Sequence, residues 1–255
     1  MQDGPKPRNG SERGLGVQRA VGRLLSVFWI PASVFILSVV MRYRVQNIRE
    51  LRRRFRALVK ESDSPLLICP NHLTMVDSAI VTWALASPWW LIMNYRWMPW
   101  NVPEHNNFSR VWFTRAAAWV VKCIPIVRGG PREELSKVLG KVEHVVSQGD
   151  TAIIFPEGTR SRTGRIQVES IAHGTGRIVN AVPDCHVLAL YLRGDRQKTW
   201  STLPARGDSF YVDFEMFRPE SENSGMRRSR DFARQIGERL VALEEKYFAG
   251  RGVTA

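Results

Sequence analysis

Pro65-Leu66-Leu67-Ile68-Cys69-Pro70-Asn71-His72-Leu73-Thr74-Met75-Val76-Asp77 opens on an apolar run, then presents a histidine and, five positions later, an aspartate. The run Pro65 to Pro70 is short and bounded, as a strand buried on both faces of an α/β sheet would be. Thr74 to Ala86 continues as a mostly apolar helix, so the stretch reads strand, loop, helix. This places a potential general base, His72, at the exit of a buried strand, where a neutral imidazole can accept a proton near neutrality. Inside one straight helix, five steps would set His72 and Asp77 about 140° apart, too far round for contact. His72 is therefore expected in the loop and Asp77 in the first helical turn. There the carboxylate can fold back on the imidazole, fix one tautomer and stabilise the imidazolium. A His and an Asp at this spacing also occur by chance in many chains, so the pair takes its meaning from what surrounds it.

With 255 residues, 44% of them hydrophobic, the chain can bury one sizeable α/β core. Cys69, Cys123 and Cys185 each sit in an apolar run, with neither an even count nor a metal-ligand spacing. They read as buried thiols in a reducing compartment, and no metal or cofactor is expected. The formal charge of +13 can attract nucleic acid, anionic headgroups or an anionic substrate, and its distribution must decide among them.

Residues 1 to 16 are rich in Gly, Pro, Arg and Asn, bury too little to order, and read as a disordered tail. From Leu24 to Met41 the chain is apolar except at Ser26, Pro31, Ser33 and Ser38, at the short end for a span of roughly 20 residues. Arg13, Arg19 and Arg23 precede it, and Arg42, Arg44, Arg49, Arg52, Arg53, Arg54 and Arg56 follow it. A single span carries its positive excess on one side. The symmetric flanks, with Pro31 and Trp29, favour a segment that dips into or lies on the cytoplasmic face of the cell membrane, peripheral or monotopic, with arginines against anionic headgroups. A true span is the alternative. No nucleic-acid motif accompanies the arginines, so no nucleic-acid partner is expected. Residues 1 to 60 thus form tail plus membrane segment, and residues 61 to 255 the globular domain.

Within that domain, Trp83, Trp89, Trp90, Trp97, Trp100, Trp112 and Trp119 crowd together, mixed with Met93, Tyr95, Met98 and Phe108. Half-wet indoles suit a membrane interface or an acyl-chain site, with core packing the alternative for any one of them. Cys123 to Arg128 resembles a short strand ending on a cation, and Gly129-Gly130-Pro131 turns into a helix that runs to about Ser147. Thr151 to Phe155 reads as a second buried strand. It delivers Pro156-Glu157-Gly158-Thr159-Arg160-Ser161 into the loop beyond its carboxyl end, where open α/β sheets bind ligands. Glycine there admits close backbone approach, and Thr159, Arg160 and Ser161 offer donors suited to phosphate oxygens. Val187 to Leu192 and Ser209 to Phe217 read as further strands, the second alternating like a half-exposed edge strand, and Arg227 to Phe248 as an amphipathic helix on the sheet. The expected fold class is α/β: a mixed central sheet flanked by helices, with an N-terminal membrane-associated helical segment.

Three blocks in order, Asn71-His72 with Asp77 (His-x4-Asp), Ile124 to Gly129, and Phe155 to Ser161, resemble those of the glycerolipid acyltransferase family that includes 1-acylglycerol-3-phosphate acyltransferase. The resemblance runs over about residues 65 to 195. Two departures stand out. Val187 to Gly194 lacks the proline usual in the strand of the fourth block, and Ser170-Ile171-Ala172-His173-Gly174 stands where members often carry basic residues before a glycine.

The resemblance implies transfer of a fatty acyl group from a thioester, acyl-CoA or acyl carrier protein, to a hydroxyl of a glycerophospholipid precursor at a phospholipid membrane surface. Lysophosphatidate going to phosphatidate is the leading acceptor reading, and an amino-acid lipid or a glycolipid is the rival. His72 is then the base and Asp77 its partner. Glu157, Gly158, Thr159 and Arg160 belong to the acceptor site, and Arg128 helps to hold the acceptor phosphate. Direct transfer through His72 needs no acyl-enzyme. The reading from a different class is a catalytically silent lipid-binding module.

Overall fold

The buried strand that leads into His72 lies inside the sheet, with a strand on either side. A computed structural model describes residues 11–105, 111–127 and 129–252. Along the chain lie α1 (Ser11–Phe35) with a π-helical turn (Ile36–Val40), β1 (Arg44–Val45), α2 (Ile48–Glu61), β2 (Leu66–Pro70), α3 (Asp77–Leu85) and α4 (Pro88–Met93). There follow β3 (Trp100–Asn101), α5 (Trp112–Val120), α6 (Arg132–Ser147), β4 (Ala152–Ile153), α7 (His173–Ala181), β5 (His186–Gly194), β6 (Ser209–Phe217) and α8 (Gly225–Ala249). The strands form one sheet in the order β1-β6-β5-β2-β4-β3. Only β5 and β6 run antiparallel, so the sheet is mixed, as the sequence leads one to expect.

Every residue of β2 is buried, because helices cover both faces of the sheet. The period of two sorts its side chains: Leu66 and Ile68 join Leu188, Leu190 and Leu192 in the core under α2 and α3. Leu67 and Cys69 join Val187, Ala189 and Tyr191 in the core under α6, α7 and α8. Asn71 then prolongs the ladder with its side chain: Nδ2 donates to Leu192 O at 3.1 Å, and Leu192 N donates to Oδ1 at 2.7 Å. An amide that copies a peptide group fixes where the chain leaves the sheet, and hence where His72 stands.

Three expectations change in detail. The helix begins at Ser11, within the stretch read as a tail, because Leu15 and Gln18 pack inward and supply contacts that composition does not reveal. Cys123 to Val127 makes single bridges, Asn101 to Cys123 and Glu104 to Ile126, instead of a strand. Pro125 between them has no N–H for a continuous ladder. Strand β6 lies second from the edge, but β1 covers only Ser209 and Phe210. Beyond them Arg54 donates to the Phe214 carbonyl at 3.0 Å and blunts the open edge.

Helix α1 has inverted polarity. Gln18, Gly22 and Ser26 are on its buried stripe with Leu15, Ile30 and Leu37, whereas Leu24, Phe28, Phe35 and Val39 are exposed. Gln18 donates to the carbonyls of Trp119 and Cys123 at 2.8 and 3.0 Å, which latches α1 to the end of α5. Gly22 allows that approach, since a Cβ there would meet Val120 O at 2.5 Å. The segment Gly14–Val40 is long and apolar enough to cross a membrane, and its mean hydropathy reaches 2.0.

Candidate active site

Asp77 starts α3 and accepts at four places. Its Oδ2 lies 3.1 Å from His72 Nδ1 and takes the N–H groups of Leu73 and Thr74 at 2.6 and 2.7 Å; its Oδ1 accepts from the Thr74 hydroxyl. One carboxylate thus organises the whole turn from strand to helix, with its charge at the positive end of α3. Because Nδ1 faces a carboxylate, Nε2 is the ring nitrogen available to take a proton.

Three more contacts hold the histidine. Its ring stacks on Phe155 with centroids 3.9 Å apart, its backbone N–H donates to Glu157 Oε1 at 2.8 Å, and its carbonyl accepts from Ser161 N–H at 3.0 Å. The loop after β4 therefore clasps the loop after β2, and both leave the sheet at the carboxyl ends of adjacent parallel strands. Burial drives the Glu157 carboxyl up to about 7; the His72 N–H pulls it down, while the nearby Glu244 and Asp77 charges push it further up. Gly158 adopts φ 66°, the left-handed turn that brings the chain back towards His72.

A cavity of about 490 Å³ opens beside the imidazole. His72, Phe155 and Arg160 mark one part of its wall, and apolar side chains of α1, α3 and α5, among them Ile30, Ala79 and Ala118, supply much of the rest. An imidazole at the edge of a largely apolar cavity can face a molecule with a long hydrocarbon part.

The family model described as Acyltransferase matches residues 42–193. This chain belongs to that glycerolipid acyltransferase family. The match runs from β1 into β5 and so includes both loops of the candidate site. No curated protein matches the sequence.

Of the residues the acyltransferase resemblance singles out, His72, Asp77 and Glu157 are buried together, and Arg160 joins His72 on the cavity wall. Glu157 touches the histidine's backbone instead of lining the cavity, and Thr159 is exposed. Arg128 lies outside the described residues. Among the described residues, no three or more His, Cys, Asp or Glu side chains gather as metal ligands would.

Two participants had no sequence signal. Trp200, from the loop between β5 and β6, places its ring 4.9 Å from the Arg160 guanidinium. Helix α1, read as membrane segment alone, also walls the cavity through Trp29, Ile30, Ser33, Val34 and Leu37. The tryptophans divide: Trp83, Trp97 and Trp100 are core, while Trp89 and Trp112 stand 71% and 78% exposed on α4 and α5 beside α1.

Proposed function

We propose that the protein is a membrane-associated O-acyltransferase that moves a fatty acyl group from acyl-CoA or acyl carrier protein to a hydroxyl of a glycerophospholipid precursor, with lysophosphatidate as acceptor and phosphatidate as product. The observation that carries the reading is the His72–Asp77 pair, 3.1 Å apart, at the edge of a largely apolar cavity. Nε2 of His72 takes the acceptor hydroxyl proton as the oxygen attacks the thioester carbonyl. The C–S bond then breaks, the thiolate leaves, and the imidazolium returns its proton to sulfur. Asp77 holds the tautomer and balances the transient positive charge.

Arg160 holds the acceptor phosphate in this reading. Glu157 and Gly158 shape the acceptor loop around His72, and Thr159 adds a hydroxyl at its surface. The apolar cavity takes the acyl chain. Exposed Leu24, Phe28, Trp89 and Trp112 support contact of α1, α4 and α5 with a phospholipid membrane, on the cytoplasmic face of the cell membrane, in a peripheral or monotopic mode.

A panel tests this directly: purified full-length protein in vesicles, labelled acyl-CoA or acyl carrier protein, and lysophosphatidate, an amino-acid lysolipid or a glycolipid as acceptor. Labelled phosphatidate is the expected product. Turnover of another acceptor with none of lysophosphatidate would remove the phosphatidate assignment, and no transfer to any acceptor would remove the acyltransferase mechanism.

A further inference from the structure

The Trp200 ring covers the Arg160 guanidinium from a loop that belongs to none of the motif blocks. Arg160 Nη1 is buried without a hydrogen-bond partner among the described residues, yet the side chain lines the same cavity as His72. An unpaired buried guanidinium N–H is destabilising, and an anionic ligand relieves it. Stacking on an indole favours the cation while leaving the in-plane N–H groups for an acceptor.

The position of Trp200 is enforced from beneath. Arg193, 7% exposed near the end of β5, donates from Nε to Gln197 O at 3.1 Å, from Nη1 to Gly164 O at 2.6 Å and from Nη2 to Lys198 O at 2.7 Å. One guanidinium therefore ties the loop that follows Arg160 to the loop that carries Trp200. Gly164, at φ 71°, sits so close that a Cβ would meet Lys198 O at 2.4 Å. After Trp200, Ser201 N–H donates to Leu73 O and Met75 N–H to Thr202 O, both at 3.1 Å. Trp200 is thus indexed to the His72 loop on one side and to the Arg160 loop on the other. Met75 and Leu203, borne by the paired segments, are 43% and 51% exposed, and Trp200 is 44% exposed.

We infer that Trp200 is a specificity-determining residue of the acceptor site. It holds the Arg160 guanidinium side-on and, with Met75 and Leu203, forms an apolar rim that selects an anionic acceptor already bearing an acyl chain over the water-soluble phosphate ester of the same headgroup. The inference rests on the acyl-acceptor reading above. Arg193 is the positioning residue behind it.

Equilibrium binding of lysophosphatidate and of glycerol 3-phosphate to the full chain, without acyl donor, separates the two ideas. Wild type is expected to bind lysophosphatidate the more tightly. W200A should weaken that binding roughly tenfold while W200F stays within about threefold, and glycerol 3-phosphate should respond less. In turnover, the acceptor KM should rise with kcat and donor KM nearly unchanged. Unchanged lysophosphatidate binding by W200A, equal losses for both ligands, or no binding by wild type overturns the inference. The expected binding pattern without acyl transfer supports it while defeating the transferase mechanism; transfer with binding indifferent to Trp200 does the reverse.

Discussion

The Glu157 carboxylate accepts the backbone N–H of His72 at 2.8 Å, so the loop after β4 holds the loop that carries the imidazole. Burial holds that carboxyl near 7, above the ordinary 4.5. Between about 4.5 and 7 the folded chain keeps a proton that the unfolded chain has lost, so this group's contribution to stability falls as pH rises through the window and levels off above it. Glu157→Gln keeps an oxygen acceptor and cannot ionise. Relative to wild type it should gain stability on going from pH 5 to pH 8, on the order of 3 kcal/mol at most. Chemical denaturation at both pH values measures this, and parallel pH profiles would contradict it.

Asp77→Asn removes an acceptor that serves His72, Leu73 and Thr74 together. An amide nitrogen facing Nδ1 favours the wrong tautomer, so kcat should fall on the order of 10²-fold or more with the donor KM little changed. Stability should drop by roughly 1–3 kcal/mol, because buried N–H groups lose their partner. Steady-state rates and thermal unfolding read the two effects. Activity within threefold of wild type would show that Asp77 is structural only.

Gly22→Val is expected to prise α1 from α5, since even a Cβ at Gly22 would lie 2.5 Å from Val120 O and 2.6 Å from the Tyr95 hydroxyl. Overpacking of this kind costs about 1–3 kcal/mol. Because α1 walls the cavity, limited proteolysis should cut near α1 sooner, and acyl transfer should weaken in parallel. Wild-type protection with full activity would mean that α1 is not part of the functional cavity.

Leu24, Phe28 and Phe35, 75%, 72% and 57% exposed, test the membrane contact without disturbing the core. Replacing all three by serine should weaken binding to anionic phospholipid vesicles at least 10²-fold, each buried side chain being worth about 1.5–3 kcal/mol. The unfolding midpoint should stay near wild type. Undiminished sedimentation with vesicles would transfer the contact to another surface. Point substitutions serve better here than truncation of residues 1–60, which would remove β1, α2 and a wall of the cavity.

The strand, loop and helix around His72 were legible because apolar periodicity and the His-x4-Asp spacing are local properties. The same holds for β6, read at the bounds Ser209–Phe217 that the sheet shows, and for α6 and α8. What stayed hidden is non-local. Nothing near Trp200 says that Arg193 will carry it to Arg160, and nothing in the sequence of α1 says that Gln18 and Gly22 will face α5 while Ile30 and Val34 line the cavity. The arginine run after α1 shows the same limit: Arg52 donates to Trp83 O at 2.8 Å and Arg54 to Asp213 at 3.0 Å, so charges read as lipid-facing bind the protein's own groups.

The most direct test of the mechanism is the acyl-transfer rate of His72→Ala on whichever acceptor wild type uses. The backbone bonds of His72 to Glu157 and Ser161 remain when its ring is removed, so the variant should fold and bind vesicles as wild type does. The rate should fall on the order of 10²-fold or more. A folded, membrane-bound His72→Ala protein that transfers acyl groups within a few-fold of the wild-type rate would contradict the assignment of His72 as the base.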